Sequence, residues 1–562
     1  MIIGIDLGTT NSLAAIWRDG QAQLIPNAMG DDLTPSCVSL DEDGSILVGC
    51  AARERLQTHP DRSAALFKRQ MGSDRTFQLG NRAFRAEDLS SFVLRSLKAD
   101  AEALLGETVT EAIITVPAYF SDSQRKATRI AGQLAGLKVD RLVNEPTAAA
   151  LAHGLHQDQD ATQFLVFDLG GGTFDVSILE MFEGVMEVRA TAGDNYLGGE
   201  DFVDAIVKLF LRESGVPAVS ADSPAFMQHL LARAEAAKRV LSESAETVVK
   251  ANWDAQEYAL AFDQFRFQQL CEPLLARLRI PVERALRDAR IRTGDIDSVV
   301  LAGGATRMPM VRHLVTRMFG RFPAAGLNPD EVVAAGAAVM AGLKMKDAAL
   351  DEVVMTDVCP YTLGTSVGHE GRYSPIIERN TVVPVSRVET YVPGADFRKT
   401  MTIDVYQGES RLVKDNIKLG ELVFPLPRLR KEEAGVDVRF TYDVNGLLEV
   451  EATVRHSGDT HRLVIQSNSG VLTDEEVRAR LSELALLKIH PRDNAENRAL
   501  IAQAERCYQQ LLGDERNHLA VEIGRFEREL DSQDARRAGE ARVRLRDAIR
   551  RIEAAPVFDP DF

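Results

Sequence analysis

Residues able to do chemistry cluster where apolar runs end in an acid followed by a glycine turn. Phe164–Leu179 reads FLVFDLGGGTFDVSIL: a run ends in Asp168, crosses Gly170-Gly171-Gly172-Thr173 and re-enters an alternating run through Phe174, Asp175 and Ile178. That is the pattern of two strands joined by a tight turn. Bare glycine backbone lets N–H groups approach a phosphate closely. Asp168, at the strand end, can hold the water shell of a metal ion, and Thr173 adds a hydroxyl beside it. Alone, the stretch also fits an ordinary hairpin. Its twin at Ile2–Trp17, IIGIDLGTTNSLAAIW, ends a strand in Asp6 and turns through Gly8, Thr9, Thr10 and Asn11. A duplicated strand–turn–strand is harder to dismiss. Two such hairpins facing each other can grip a phosphate chain from both sides, with Asp6 and Asp168 opposed across a magnesium ion that keeps its waters.

Other positions acquire meaning only beside that pair. Ser298–Ala302 is a buried-type strand followed by Gly303-Gly304-Ala305-Thr306-Arg307 and a helix from Pro309. This strand–glycine–helix junction again suits a nucleotide, with Arg307 able to stack on a base. Glu235, Lys238 and Ser242 share one face of a long helical segment, an arrangement that normally means a solvated face. Glu145 stands between the strand Leu142-Val143 and the helix former AAALAHGL, where a glutamate is commonly a surface residue at a helix start. Lys68, in LFKRQMG, is unremarkable by itself. Three phosphate-type turns favour nucleotide binding, and the lack of G-x-x-x-x-G-K-[ST] excludes a P-loop protein.

The elements that must position these residues follow in order. At 562 residues, with 45% hydrophobic and 27% charged, the chain has room for several domains. A formal net charge of −17 argues against non-specific nucleic-acid binding. No apolar stretch reaches membrane-spanning length, and the strand pattern begins at once, without a signal-peptide pattern. The five cysteines are scattered, as expected of reduced thiols in a cytoplasmic protein. Ala112–Val116 is a strand stopped by Pro117, and Ser121 can cap a helix carrying Ala127, Ile130, Ala131 and Leu134 on one face. Near residue 350 the composition shifts. Asp351–Asp357, DEVVMTD, reads as an acid-flanked apolar linker able to dock, with no strand partner of its own. From Pro360 to about Gly470 the pattern is all-β. Met401, Ile403 and Val405 share one face, Asn445-Gly446 signals a hairpin, and Leu448, Val450, Ala452 and Val454 alternate with Glu449, Glu451, Thr453 and Arg455. A capping box at Thr473-Asp474-Glu475-Glu476 opens a helical region. Its apolar stripes, Val521, Ile523, Phe526, Leu530 and Val543, Leu545, Ile549, Ile552, predict helices packed on one another.

Taken together, IDLGTTNS, VPAYFSDSQR, NEPTAAALA, DLGGGTFD, LGGEDF, GGATRMPMV and NPDE resemble the DnaK-type, seventy-kilodalton heat-shock chaperones, in order over almost the whole chain. The resemblance implies a multidomain α/β, β and α protein. Its parts are an actin/hexokinase-type two-lobed ATPase domain (1–350), a short apolar linker (351–359), a β-sandwich that binds extended hydrophobic peptide (360–470) and a shortened helical lid (471–562). It implies an ATP-dependent chaperone of the cytoplasm. Carried over by motif, Gly8, Thr9, Thr10 and Asn11 cradle the phosphates with Gly171, Gly172 and Thr173. Asp6, Glu145 and Asp168 arrange magnesium waters, Lys68 orients the attacking water and the γ-phosphate, and Thr173 and Asp175 hold phosphate and a potassium ion. Glu235, Lys238, Ser242, Gly304 and Arg307 enclose the adenosine of ATP or ADP. Pro117 and Arg125 look like the family's switch pair, and Asp357 at the linker end is grouped with them.

The departures from the family are as informative. The segments Met71–Leu89, Glu180–Glu187 and Val248–Phe262 are short against the DnaK pattern. Arg141 and Asn144 keep a J-domain partner in view, while a DnaK-type exchange factor loses its expected loop. The linker reads VVMTD rather than a run of leucines. Burying Val353, Val354 and Met355 contributes on the order of a few kcal/mol, against about 5.5 kcal/mol needed to swing a two-state equilibrium fully. The loop TSVGHEGRY carries His369, Glu370 and Arg372 where the family is apolar, and Val392 and Met401 are the candidate groove positions. These trims resemble the specialised HscC branch. The rival readings of the same nucleotide core are a small-molecule kinase and a filament-forming protein. Neither needs residues 360–562.

Overall fold

The computed structural model describes residues 1–154, 161–182, 185–254, 256–350, 354–368, 370–443, 446–466, 495–511 and 513–553. Asp351, Val353, His369, Asn445, the capping signal at 473–476 and the closing 558–562 segment lie outside them. The described chain is mixed α/β and divides into two compact units, Met1–Tyr361 and Thr362–Phe562.

In the first unit the two glycine hairpins occupy equivalent places in two similarly built sheets. Ile2–Asp6 pairs in parallel with Glu111–Val116, which pairs in parallel with Leu142–Asn144. On its other side Ile2–Asp6 runs antiparallel to Asn11–Arg18, and Gln21–Ile25 follows. The second sheet repeats the plan. Ala161–Leu169 pairs in parallel with Ser298–Ala302 and antiparallel with Phe174–Phe182, whose other neighbour is Val185–Asp194. These strands read as near-continuous apolar runs because helices cover both faces: Ile3, Ile5, Ile114, Leu165, Phe167 and Val176 are all buried. Between the sheets run two small-residue helices, Glu145–Gly154 and Val332–Met345. Their backbones touch closely enough that a Cβ on Gly336 would stand 1.8 Å from the carbonyl oxygen of Ala148.

The linker departs from the sequence reading. Val354–Val358 is a strand, added in parallel to Val185–Asp194 through the pairs Val185–Val354, Met186–Met355 and Glu187–Thr356. An edge with free N–H and C=O groups accepts such an addition whatever the side chains, which is why composition alone showed no partner. The Asp122–Leu134 helix starts as expected, with Ser121 N–H donating to Gln124 Oε1 at 2.9 Å. Leu134 ends it exposed rather than buried, since it is the last helical residue before a turn.

In the second unit, Arg372–Ile377, Leu363–Val367, Thr400–Gln407 and Ile417–Pro425 form one antiparallel sheet, and Val385–Tyr391, Val436–Tyr442, Leu447–Val454 and Thr460–Gln466 form another. Ile403, Val405, Phe424, Phe440 and Val450 are buried. Glu449 and Glu451, which alternate with the apolar residues of their strand, are buried as well. The strand is interior to its sheet, and the register that sets Glu451 opposite Arg462 brings the guanidinium to 2.8 Å. Around TSVGHEGRY, Val367 pairs with Arg372, and Glu370 bridges to Arg372 at 2.9 Å. Three helices, Ala495–Gln510, Gly513–Asp531 and Ala535–Glu553, pack around Leu519, Phe526, Leu530, Leu545 and Ile549. Val521 and Val543 were expected in these stripes but are exposed. Each lies two residues from a buried position, about 200° round a helix from it. Among the described residues no helix is long and apolar enough to cross a membrane.

Candidate functional site

The two hairpin turns meet across a cleft of about 310 Å³, lined by Asp6, Gly8, Thr9, Thr10, Asn11, Lys68, Glu145, Asp168, Gly171 and Thr173 at one end. Glu235, Lys238, Ser242, Gly304 and Arg307 line the other. The turns are in contact, for a Cβ on Gly171 would fall 1.8 Å from Thr10 Oγ1. Only glycine leaves room for the Thr10 side chain against the Gly171 backbone, and bare backbone of this kind lets a phosphate approach closely. The strand ends fix the acids: Asp6 closes the first strand and Asp168 sits one residue before the end of its own.

Long-range pairing decides the electrostatics. Glu145, which alone reads as a surface residue, is buried and accepts from Lys68 Nζ at 2.6 Å. Asp175 is buried and accepts the Tyr119 N–H at 3.1 Å. Asp6 opens to the cleft on one side and accepts from Thr115 Oγ1 at 3.2 Å. Asp168 is buried, and its Oδ2 has no hydrogen-bond partner. Four carboxylates thus gather around the Lys68 ammonium. Loss of water, then the charge of Glu145, pushes Asp6 up to about 7. The same two causes push Asp175 up to about 8. Asp168 is held well above the usual carboxylate range, by burial first and by Glu145, Asp175 and Asp6 after it. A site with this excess of buried negative charge suits a cation.

The donor set also indicates how a cation would sit. Among the described residues no three His, Cys, Asp or Glu side chains converge closely enough to chelate an ion directly. The unpartnered, buried Asp168 oxygen is the feature that fits a cation at this end of the cleft.

At the far end, Glu235 and Lys238 do share a helix face and pair at 2.6 Å, and Lys238 also donates to Gly199 O at 3.2 Å. The Pro224–Val240 helix stops short of Ser242, which reaches the cleft from the turn beyond it. Arg307 is held by Asp330 Oδ2 at 2.8 Å and Asn328 Oδ1 at 2.5 Å. Arg69, beside Lys68, escaped the sequence reading. It ties Gly172 O (3.1 Å) to Asp201 (2.7 Å), and no local spacing links residues so far apart in the chain. Pro117 ends its strand beside the loop that Arg125 holds: Arg125 donates to Ala118 O, Phe120 O and Asn144 Oδ1, and Asn144 Nδ2 reaches both oxygens of Asp357 at 3.0 Å. In the second unit, Val392 is exposed and Met401 half-buried, paired in register with Phe424.

The class the geometry defines is a mixed α/β unit with twin glycine hairpins closing on a cleft rich in buried carboxylates. Comparison with known families is specific: the family model described as Hsp70 protein matches residues 2–78 and 74–555. The chain belongs to the Hsp70 family, and is a chaperone of that family.

Proposed function

We propose that the chain hydrolyses ATP to ADP and phosphate, and uses the cycle to capture and release extended apolar polypeptide segments. The observation that carries this reading is the cleft between the twin hairpins. There a buried Lys68–Glu145 pair and an unpartnered Asp168 oxygen face two glycine turns. Gly8, Thr9, Thr10 and Asn11 bind the phosphates from one side, and Gly171, Gly172 and Thr173 from the other. Asp6, Glu145 and Asp168 would hold magnesium through its waters, and the ion when bound would neutralise charge on the phosphates. Lys68, kept in place by Glu145, orients water toward the γ-phosphate. Asp175, fixed by the Tyr119 N–H, joins Thr173 in holding the terminal phosphate and a potassium ion. Glu235, Lys238, Ser242, Gly304 and Arg307 enclose the adenosine. Such chemistry relies on positioning and charge rather than a strong base.

Regulation follows from the linker. Asp357 reaches the Pro117–Arg125 segment through Asn144, so a seated linker and an ordered nucleotide site favour each other. The 351–359 segment then joins the ATPase unit to a β-domain at 360–470, where Val392 and Met401 contact client, and to a helical lid at 471–562. A J-domain protein is the expected partner, by way of Arg141 and Asn144, and the trimmed loops favour the HscC-like branch.

The test is the ATPase rate of the pure protein with and without an unfolded polypeptide and a J-domain. Both are expected to raise it, and Val392→Lys is expected to weaken polypeptide binding while leaving basal hydrolysis within about twofold. Phosphorylation of a sugar, or sedimentation with ATP, at a rate indifferent to polypeptide would overturn the reading.

A further inference from the structure

The loop from Pro117 to Phe120 is gripped from two sides, and both grips lead to the linker. One is the Arg125–Asn144–Asp357 chain described above. The other is Tyr361, three residues beyond the end of the linker strand at Val358. Its hydroxyl donates to Tyr119 O at 2.6 Å, and the two rings lie 4.4 Å apart, tilted by 45°. Asn195 Nδ2 donates to the same carbonyl at 2.7 Å, and Arg284 holds the Tyr119 hydroxyl at 3.0 Å. At its other end, the same residue donates its N–H to Asp175 Oδ1 at 3.1 Å. The Tyr119 N–H shares its peptide plane with Ala118 O, which Arg125 holds, and Tyr119 O belongs to the next plane, so the two grips together fix the backbone on both sides of the Tyr119 Cα and with it the N–H that meets Asp175.

We infer that Tyr361 is a positioning residue for Asp175: with the linker seated, its hydroxyl holds Tyr119 so that the Tyr119 N–H keeps the buried Asp175 carboxylate in place opposite Asp168, behind the phosphate end of the cleft. This rests on the ATPase reading above. Two further features fit a contact that can be made and released. Burial drives the Tyr361 hydroxyl further above its ordinary range, so it remains a proton donor at any physiological pH. A cavity of about 350 Å³ opens beside the paired rings, between Tyr119, Asn195, Arg277, Arg284 and Tyr361, and gives the ring room to leave. The second grip differs in kind from the first. It is a neutral hydrogen bond with a ring contact, whereas the first ends on the carboxylate of Asp357.

The experiment uses the full-length chain with Tyr361→Phe, which keeps the ring and removes the donor, and Tyr361→Leu, which removes both. A net hydrogen bond of about 0.5–1.5 kcal/mol corresponds to a two- to twelvefold effect. Basal kcat for magnesium ATP is expected to fall by about that factor in Tyr361→Phe, with KM changed less than about twofold. Protection of residues 354–358 from a protease by ATP should weaken as well, because the lost hydrogen bond is one of the contacts that seat the linker, while cleavage in ADP stays as in the parent. Tyr361→Leu should be no more active than Tyr361→Phe. A parent that hydrolyses ATP beside a Tyr361→Phe variant with unchanged kcat and unchanged linker protection overturns the inference and leaves the ATPase reading standing. A raised KM at unchanged kcat also overturns it. A parent without ATPase activity overturns both.

Discussion

Replacing Lys68 by methionine separates the chemical role of this residue from its role as a counter-charge. Lys68 Nζ lies 2.6 Å from Glu145 Oε1, and the two side chains are 3% and 10% exposed. Methionine keeps the length of the side chain and removes the charge. Breaking a buried pair by deleting one partner costs about 3–5 kcal/mol. The cost here should sit near the lower end, about 3 kcal/mol, because Asp6 already titrates at about 7 and can take up a proton in place of the lost ammonium. The nucleotide-free variant should therefore melt several degrees lower than the parent. Chemistry should suffer more. Losing a preorganised charge aimed at a developing one costs about 10²–10³ in kcat, whereas the hydroxyls and glycine N–H groups that bind ground-state phosphates remain. Single-turnover hydrolysis and calorimetric binding of magnesium ADP measure the two quantities separately. The expectation is a hundredfold or greater loss of turnover with ADP affinity within about threefold of the parent. Turnover within threefold of the parent, or an affinity loss matching the rate loss, would refute the role given to Lys68. Glu145→Gln is the companion variant, leaving the ammonium in place without its anchor.

Two other outcomes follow from the same structure. In the unfolded chain Asp6 and Asp175 release their protons near 3.8, but in the fold they hold them to about 7 and about 8. The native state binds more protons throughout that window, so these groups make stability fall as pH rises from about 4 to 8, by up to about 1.4 kcal/mol per pH unit for each. Magnesium with ADP should flatten the fall by supplying the missing positive charge, and melting curves with the same slope with and without it would contradict the electrostatic account. Separately, Gly336→Ala places a Cβ 1.8 Å from Ala148 O at the helix crossing between the sheets. Chemical denaturation should show a loss of about 1–3 kcal/mol, and an unchanged midpoint would mean the two helices can part without cost.

The sequence by itself determined the parts of the site that are local. Asp6, Asp168 and the two glycine turns were legible because strand alternation, an acid at a strand end and a run of glycines are all written within about sixteen consecutive residues. So were the strand before Pro117, the helix from Ser121 and the β-rich character beyond Pro360. Tertiary structure decided whatever depends on approach between distant segments. Glu145 could be a solvated helix start or a buried anchor, and only the arrival of Lys68, 77 residues away in sequence, makes it the latter. Arg69 meets Gly172 and Asp201 under the same condition, and the linker gains a strand's geometry only because the Val185–Asp194 edge is there to receive it. Val521 and Val543 illustrate the opposite failure. They are apolar and lie within the right helices, but helical angle, not composition, puts them in solvent. Burial and ion pairing are settled by what comes to lie opposite a residue, whereas turns and periodicity are settled by its neighbours in the chain.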